Sequence, residues 1–214
     1  MKIKTLKDYV YEYISKGIQE GTLKPNDKLN EQEISDRLGI SRTPIREALI
    51  QLAADGLLES IPHRGFRVKP LSLKEVTELY IIIGNLDSLA ANLALYNLSE
   101  EDINQMESLK EEMDEAIKKE EYDRYYKLQI EFHDVYINKC NNKELIRILN
   151  QLRMRFIRQS YSNIDKEELL KVLLETNEQH GAIIDLIKAR DSKRLENYIK
   201  EVHWNTKYAF SDVV

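Results

Sequence analysis

The sequence predicts a mainly α-helical protein in which an N-terminal winged helix-turn-helix, with a small β-hairpin as its wing, precedes an all-α antiparallel bundle. Apolar residues recur at helical spacing along most of the 214 residues. Turn-forming glycines and prolines concentrate before residue 71, where they separate short helical patterns from a hairpin pattern. From residue 71 onward there is no proline, and Gly84 and Gly181 are the only glycines, so long helices can follow one another.

The first two helices are predicted from their apolar faces and their caps. Residues 6–20 form an amphipathic helix that Gly21 ends. Residues 31–38 form a short second helix, in which Asn30 is the N-cap and Glu33 is placed to complete a capping box. The glycine that follows suits the left-handed position that stops a helix. The apolar stripe of the first helix consists of Leu6, Val10, Ile14 and Ile18.

A third helix and a hairpin complete the N-terminal region. Ser41 is the N-cap of the third helix, and Pro44 lies in its first turn, where no intrahelical hydrogen bond is lost. Residues 57–61 and 66–68 are predicted strands, joined by a hairpin tip at Pro62-His63-Arg64-Gly65. The inner face of the third helix consists of Ile45, Ala48, Leu49 and Leu52.

These elements suit DNA reading, because a helix-turn-helix presents the N-terminal end of its second helix to the major groove. Arg42 and Arg46 lie one turn apart on the outer side, where they can pair with guanine or clamp phosphates. Thr43 can bind a backbone oxygen or touch a thymine methyl group, and His63 and Arg64 at the hairpin tip can follow the DNA backbone or enter the minor groove. Two arginines alone would indicate an ordinary solvated helix face; the ordered set of capped helices, turn and hairpin favours DNA binding.

Composition limits the class of protein. The net charge of −5 argues against a nucleic-acid partner, but residues 1–70 carry 12 basic and 10 acidic side chains, and the remainder 20 and 27. The local field at a contact surface matters more than this sum. Cys140 is the single cysteine, so no internal disulfide can form. We find neither a signal peptide nor a run of about 18 apolar residues, and we expect a cytoplasmic protein without a membrane span.

Residues 29–68 resemble the DNA-binding domain of the GntR family, and the segment 41–49, Ser-Arg-Thr-Pro-Ile-Arg-Glu-Ala-Leu, carries most of the resemblance. The resemblance implies a homodimer that binds a palindromic operator in double-stranded DNA. It also implies major-groove or phosphate contacts from Arg42, Thr43 and Arg46, and a wing tip at Gly65. Gln32 stands where family members often carry arginine. Glutamine can pair with adenine instead, or one phosphate contact is lost.

The C-terminal region is predicted to be a bundle that begins at residue 71, so the two domains are residues 1–70 and 71–214. Three of the four histidines lie in this bundle, each on a different predicted helix: His133, His180 and His203. Neutral imidazole is a good ligand for zinc and similar metals, but histidines in a bundle more often serve as hydrogen-bonded core or surface residues. The predicted helices lie near residues 73–97, 100–119, 122–139, 143–160, 166–188 and 192–209.

The bundle, over about residues 72–209, is similar to the FCD effector domain of one branch of the GntR family. Its best local matches are Phe132-His133, residues 180–191 and the final helix up to His203. The resemblance implies a small-molecule effector, for which an organic acid is the expected class. It also implies a divalent metal, zinc or nickel, held by His133, His180 and His203 with a carboxylate.

Three positions depart from the family pattern. Gln129 stands where the ligand aspartate or asparagine is expected, and would be a weak oxygen ligand. The last histidine is expected at Val202, whereas His203 comes one residue later, which on a helix is about 100° of rotation; a slip in the turn near residues 191–193 could correct this. Ile83 stands where an arginine that serves carboxylate ligands is expected.

These departures leave three functions open. The first is a ligand-controlled transcription regulator, more often a repressor. The second is a regulator whose bundle has lost its ligand and only dimerises. The third, an enzyme with a histidine-lined site, lacks support, because no His-Glu-x-x-His helix, glycine-rich phosphate loop or nucleophile motif is present.

Overall fold

The computed structural model describes residues 5–62, 64–155 and 164–212 of the chain. Contacts divide these residues into two compact units. The first contains residues up to 72 together with 151–155, and the second contains residues 73–150 and 164–212.

The first unit combines a helix-turn-helix with a small antiparallel sheet. Its elements are α1 (Leu6–Gln19), β1 (Lys28–Leu29), α2 (Glu31–Leu38), α3 (Arg42–Ala54), β2 (Leu58–Ile61) and β3 (Gly65–Val68). The predicted helices and both hairpin strands are present within one or two residues of their expected bounds. Strand β1 is not predicted by the sequence, because two residues are too few to show an alternating pattern. In the sheet β3 lies between β1 and β2, and β1 pairs with β3 through Leu29 and Phe66.

One hydrophobic core holds α1, α2, α3 and the sheet together. The predicted inner face of α3 is fully buried, and so are Val10, Ile14 and Ile18 of α1. The prediction for Leu6 is wrong, because this residue starts α1 and is 58% exposed. The residues that α3 contributes to the core are Ile45, Ala48, Leu49 and Leu52.

The helix caps follow the sequence prediction in position but not in every bond. Gly39 ends α2 in the left-handed conformation, with φ of 66°. Asn30 caps the backbone N–H of Gln32 at 2.9 Å. Glu33 does not complete a capping box; its carboxylate accepts a bond from the Asn30 side chain instead. Ser41 occupies the N-cap position of α3, but its hydroxyl makes no capping bond.

The second unit is a helical bundle. Its elements are α4 (Leu73–Ala94), α5 (Glu100–Lys118), α6 (Tyr122–Ile137), α7 (Lys143–Arg153) up to residue 150, α8 (Lys166–Lys188) and α9 (Ser192–Tyr198), a π-helical turn (Ile199–His203) and a 3₁₀ helix (Thr206–Asp212). Helix α7 ends at Arg153, and the rest of the predicted helix up to residue 160 lies largely outside the described residues. None of the described helices is both long and apolar enough to span a membrane.

The single helix predicted over residues 192–209 is wrong. The α-helical hydrogen-bond pattern stops at Tyr198, one π-helical turn follows, and the chain ends its described part in a 3₁₀ helix. A π-helical turn accommodates one extra residue without ending the helix, and such turns are frequent at functional sites. Apolar spacing does not reveal a single inserted residue, because the pattern before and after it is still helical.

Candidate DNA-reading surface and metal centre

The N-terminal end of α3 presents its polar side chains to solvent while its apolar face anchors it. Arg42, Thr43 and Arg46 are all exposed, and the Arg46 side chain is 69% exposed. The inner face of the same helix is buried in the core of the first unit. This is the arrangement that a recognition helix needs, because its first turns must reach base edges and phosphates.

Side chains of α2 hold both arginines of α3. The Arg42 guanidinium donates to the amide oxygen of Gln32, whose amide nitrogen donates to Asp36 at 2.6 Å. The Arg46 Nε atom lies 3.7 Å from a Glu31 carboxylate oxygen. Exposed pairs of this kind contribute about 1 kcal/mol or less, so phosphate or base contacts can replace them. The sequence did not reveal the role of Glu31, because its contact with Arg46, fifteen residues away, depends on the helix-helix crossing. The Gln32–Asp36 pair lies one turn apart within α2, where helical spacing alone brings two side chains together.

The hairpin carries the remaining residues that the sequence predicts to contact DNA. Gly65 has a φ of 83°, a conformation that favours glycine, and Arg64 beside it is exposed. His63 lies outside the described residues. The Arg67 side chain of β3 donates to Glu59 on the paired strand.

In the second unit, the three histidines predicted as metal ligands come together in the interior. His133 lies on α6, His180 on α8 and His203 at the end of the π-helical turn. All three are buried, and the nitrogen atoms that they can offer to a metal lie within 4.8 Å of one another.

The orientation of His180 follows from its hydrogen bonds. Its Nδ1 atom lies 3.1 Å from the side-chain oxygen of Asn177. The amide nitrogen of Asn177 donates to Asp114 at 2.7 Å and to the backbone oxygen of Lys110 at 3.1 Å. Since both of those partners are acceptors, the Asn177 oxygen must face the ring, and Nδ1 of His180 carries the hydrogen. Its Nε2 atom is buried and has no hydrogen-bond partner among the described residues.

A longer series of hydrogen bonds orients His203 in the same way, with Nδ1 as the donor. Its Nδ1 atom lies 3.0 Å from the Gln179 oxygen, and the Gln179 amide nitrogen donates to the Tyr208 hydroxyl at 2.8 Å. That hydroxyl in turn donates to the Glu175 carboxylate. Because the Tyr208 hydrogen is directed at Glu175, its oxygen accepts from Gln179, and the Gln179 oxygen is left to accept from the ring. Nε2 of His203 therefore holds a lone pair.

His133 completes the set through a carboxylate and a hydroxyl. Its Nδ1 atom lies 3.1 Å from Oδ2 of Asp87 and 2.5 Å from the Tyr136 hydroxyl oxygen. Because the Tyr136 hydrogen is directed at Oδ2 of Asp87, 2.8 Å away, both oxygens are left to accept from the ring, and Nδ1 carries the hydrogen. Its Nε2 atom faces Nε2 of His203 at 3.1 Å. All three rings are thus oriented with Nδ1 donating outward and Nε2 turned inward.

Burial keeps His180 and His203 neutral. The pKa of His180 is well below its usual value because burial disfavours the charged ring, and His203, His133 and Lys110 add repulsion. Burial likewise lowers the pKa of His203 to about 3, with a further contribution from His133. Neutral rings are the form that binds metals, because the lone pair is then available.

The arrangement fits a metal ion. Two lone pairs that face each other at 3.1 Å repel unless a cation lies between them. Nitrogen atoms that bind one zinc ion at about 2 Å each lie at most about 4 Å apart, so His133 and His203 meet this limit. The unpartnered Nε2 of His180 is the third donor. Each ring is also anchored through its other nitrogen, as in established metal sites.

The structure resolves the one-residue offset of the last histidine. Val202, where the ligand was expected, is 38% exposed, and His203 is 7% exposed. The structure has a π-helical turn over Ile199–His203, and such a turn accommodates one extra residue, as the offset requires.

The structure does not compensate for the other two departures from the family pattern, at Gln129 and Ile83. Gln129 is half-buried on α6, and no hydrogen bond joins it to the histidines. Ile83 is fully buried on α4 and supplies no charge to an acidic ligand. The residues that orient the histidines were not identified from the sequence: Asp87, Asn177, Gln179 and Tyr208. A usable signal existed only for Asp87, a carboxylate on an otherwise apolar helix face.

Comparison with known protein families gives one match in the N-terminal part of the chain and one in the C-terminal part. Residues 6–68 match the model of the bacterial regulatory proteins of the gntR family, and residues 78–203 match the FCD domain. YdhC of Bacillus subtilis, named an uncharacterized HTH-type transcriptional regulator, is 29% identical over 91% of this chain and 86% of its own length. A probable D-xylose utilization operon transcriptional repressor of Paenarthrobacter nicotinovorans is 30% identical over 90% of this chain and 83% of its own.

The fold is shared with solved structures. Escherichia coli McbR/YncC superimposes with a TM-score of 0.79 at 24% identity and covers 98% of both chains. These relatives and the matching family models are transcription regulators and not enzymes. The chain belongs to the GntR family of bacterial regulatory proteins and is a DNA-binding transcription regulator with an FCD effector domain.

Proposed function

We propose that the protein is a repressor that binds a palindromic operator as a homodimer and is controlled by a small molecule that binds in its helical bundle. The observation that carries the DNA-binding part is the exposed cluster of Arg42, Thr43 and Arg46 at the anchored N-terminal end of α3. The Paenarthrobacter relative, which is named a repressor, supports the direction of control. Since the target would be chromosomal DNA, we propose that the protein acts in the cytoplasm.

We further propose that the DNA contacts come from Gln32, Arg42, Thr43 and Arg46, with His63, Arg64 and Gly65 at the wing. Gln32 would act through Arg42, since its amide is already bound between Arg42 and Asp36. Arg42 and Arg46 are the residues with the charge and reach to pair with guanine or to clamp phosphates.

Operator binding tests this proposal. Genomic fragments captured by the full-length protein would be sequenced, and the affinity for the enriched site measured by gel shift at fixed salt. Arg46→Ala should weaken binding by about 1–3 kcal/mol if Arg46 reads a base. Arg194→Ala removes an exposed arginine of the second unit and is the matched control. If Arg46→Ala binds as tightly as Arg194→Ala, with the same salt dependence, Arg46 lies outside the interface.

For the bundle, we propose that His133, His180 and His203 hold a divalent metal ion, zinc or nickel, through their Nε2 atoms. Neutral imidazole ligands favour these metals over calcium. Such an ion supplies a Lewis-acid centre that can bind the oxygen atoms of an effector such as an organic acid. The protein's own part is to bind the ion with rings whose orientation Asp87, Asn177 and Gln179 maintain.

Metal analysis of protein purified without a histidine tag tests the centre. We expect about one zinc or nickel ion per chain in the wild type, and loss of that metal in His133→Ala. The matched control is Asn138→Ala, just after the end of α6 and away from the histidines. Substoichiometric metal in the wild type and in His133→Ala alike would end the metal proposal.

One observation favours a second candidate, a regulator whose bundle no longer senses a ligand: Ile83 leaves that position of α4 without a cation. A thermal-shift screen separates the two, because any ligand selective for the folded state raises the Tm. The screen would use zinc, nickel and a panel of small carboxylic acids and sugars. A rise in Tm with an acid or a sugar in the metal-loaded protein supports sensing, and no shift with any of them supports the second candidate.

A further inference from the structure

Asp87 differs in charge from the other residues that orient the histidines. Within the described residues, His180 and His203 donate to the neutral amides of Asn177 and Gln179, whereas His133 donates to a carboxylate. Asp87 is 1% exposed. Its neighbours on the inner face of α4 are apolar or small: Leu79, Ile83, Gly84, Ser88, Ala90, Ala91 and Ala94.

One oxygen of Asp87 accepts hydrogen bonds from side chains on two other elements of the bundle. Oδ2 accepts from the Tyr136 hydroxyl of α6 at 2.8 Å and from the Trp204 indole nitrogen at 2.8 Å, in addition to His133. Oδ1 is buried and has no hydrogen-bond partner in the described part of the chain. The carboxylate is therefore held on one side only, the side that faces His133.

A purely structural role does not require this charge. An amide oxygen would accept the same three bonds, and a buried ionised carboxylate carries a larger desolvation cost than a buried amide. The negative charge becomes useful when a cation binds the other nitrogen of the same ring. A carboxylate that accepts from a ligand histidine fixes which nitrogen carries the hydrogen and raises the basicity of the one that binds the metal.

We propose that Asp87 is the positioning residue of the metal centre: it keeps the hydrogen of His133 on Nδ1, directs Nε2 to the other two histidines, and strengthens that nitrogen as a ligand. This inference rests on the metal centre proposed above. Tyr136 and Trp204 keep the carboxylate in place.

The first test needs no variant and no metal. In the metal-free full-length protein, labelled with ¹⁵N-histidine, long-range proton–nitrogen NMR correlations report which ring nitrogen of His133 carries the hydrogen. We expect the hydrogen on Nδ1. A hydrogen found only on Nε2 would overturn the proposal, whatever the protein binds.

The second test compares zinc affinity by competition with a chelator. Asp87→Asn keeps the size of the side chain but removes its charge. We expect zinc affinity to fall about 10- to 100-fold, the typical loss when a residue that hydrogen-bonds to a metal ligand is replaced. The same variant should shift part of the His133 population to the Nε2–H form. Asp87→Glu restores the charge and should recover part of the affinity.

Ser88→Ala is the matched control, because it removes a buried hydroxyl from the adjacent position of α4 without touching a histidine. Unchanged zinc affinity in Asp87→Asn, or an equal loss in Ser88→Ala, would overturn the role of Asp87. If the wild type binds no zinc, the metal centre itself is wrong, and the NMR measurement still decides whether Asp87 orients His133.

Discussion

At the scale of single residues, Gly84 shows how tightly the helices pack around the three histidines. A Cβ atom at this position would lie 2.8 Å from the Cβ atom of Trp204, whose indole donates to Asp87. Gly181, the other glycine of the bundle, has Lys110 Cε at 3.7 Å as its nearest neighbour, an ordinary contact. Glycine in a helix has no propensity advantage, so close approach is the reason for it at position 84 and not at position 181.

We therefore expect Gly84→Ala to destabilise the protein by about 1–3 kcal/mol through overpacking, against a gain in helix propensity of about 1 kcal/mol. Gly181→Ala, the control, should be neutral or stabilising by up to about 1 kcal/mol. Urea denaturation of both variants measures the difference. Equal free energies of unfolding for the two variants would show that Trp204 does not pack against α4 as described.

The buried histidines also predict a pH dependence of stability. The pKa of His203 is about 3 and that of His180 is also lowered, against 6.5 for an unperturbed histidine. Below pH 6.5 the unfolded chain therefore binds more protons than the folded chain, so the free energy of unfolding of metal-free protein should fall as the pH is lowered. The expected slope is about 1.4 kcal/mol per pH unit for each such histidine.

Thermal or urea unfolding between pH 8 and pH 5 at constant ionic strength checks this slope. His203→Gln cannot titrate and should show a shallower dependence than the wild type. A flat profile for the wild type, or the same profile for both proteins, would mean that these rings are not buried and neutral.

At the scale of elements, the helix that carries the third histidine changes its hydrogen-bond pattern in the π-helical turn Ile199–His203. In this turn His203 is buried and Val202 is exposed, and a π-helical turn accommodates one extra residue, which is the size of the offset from the family pattern. Apolar spacing predicted the helix in this region but not its change of hydrogen-bond pattern.

Deletion of Lys200, an exposed residue of this turn, should restore α-helical spacing and place His203 three residues after Ile199, as Val202 is now. That is the position at which the family pattern places the ligand, so we expect zinc affinity close to that of the wild type and a helical circular dichroism spectrum. Lys200→Ala, which keeps the length of the turn, should also bind zinc like the wild type. Loss of zinc binding in the deletion variant alone would contradict the interpretation of the turn as one inserted residue.

At the scale of the whole molecule, the outer face of α4 is the best candidate for the dimer contact that a palindromic operator requires. Ile82, Leu89 and Leu93 are 48%, 45% and 43% exposed. Their spacings of seven and four residues place them on one side of the helix, as in helix pairs that pack along their length. We propose that a second copy of the chain covers this face, because the face carries apolar residues where solvated charges are the rule.

Leu89→Glu should convert the dimer to monomer and weaken operator binding, because a charge would be buried in the contact. Sedimentation equilibrium or light scattering measures the mass, and gel shift measures the binding. Leu170→Glu places the same charge at an equally exposed leucine of α8 and should leave the dimer intact. Dimers in Leu89→Glu, or monomers in Leu170→Glu alone, would move the contact away from α4.

The sequence by itself determined the order of the helices up to α8 and of the hairpin, the family, the solvent side of α3 and the identity of the three clustered histidines. These follow from local rules: caps, glycine positions, apolar spacing and residue type act within one or two turns of chain. Only the tertiary structure decided how His203 reaches the interior and which residues orient each ring. Those contacts join positions that are far apart in the chain, such as Asp87 with His133 and Trp204, and their geometry depends on helix packing that no local pattern encodes.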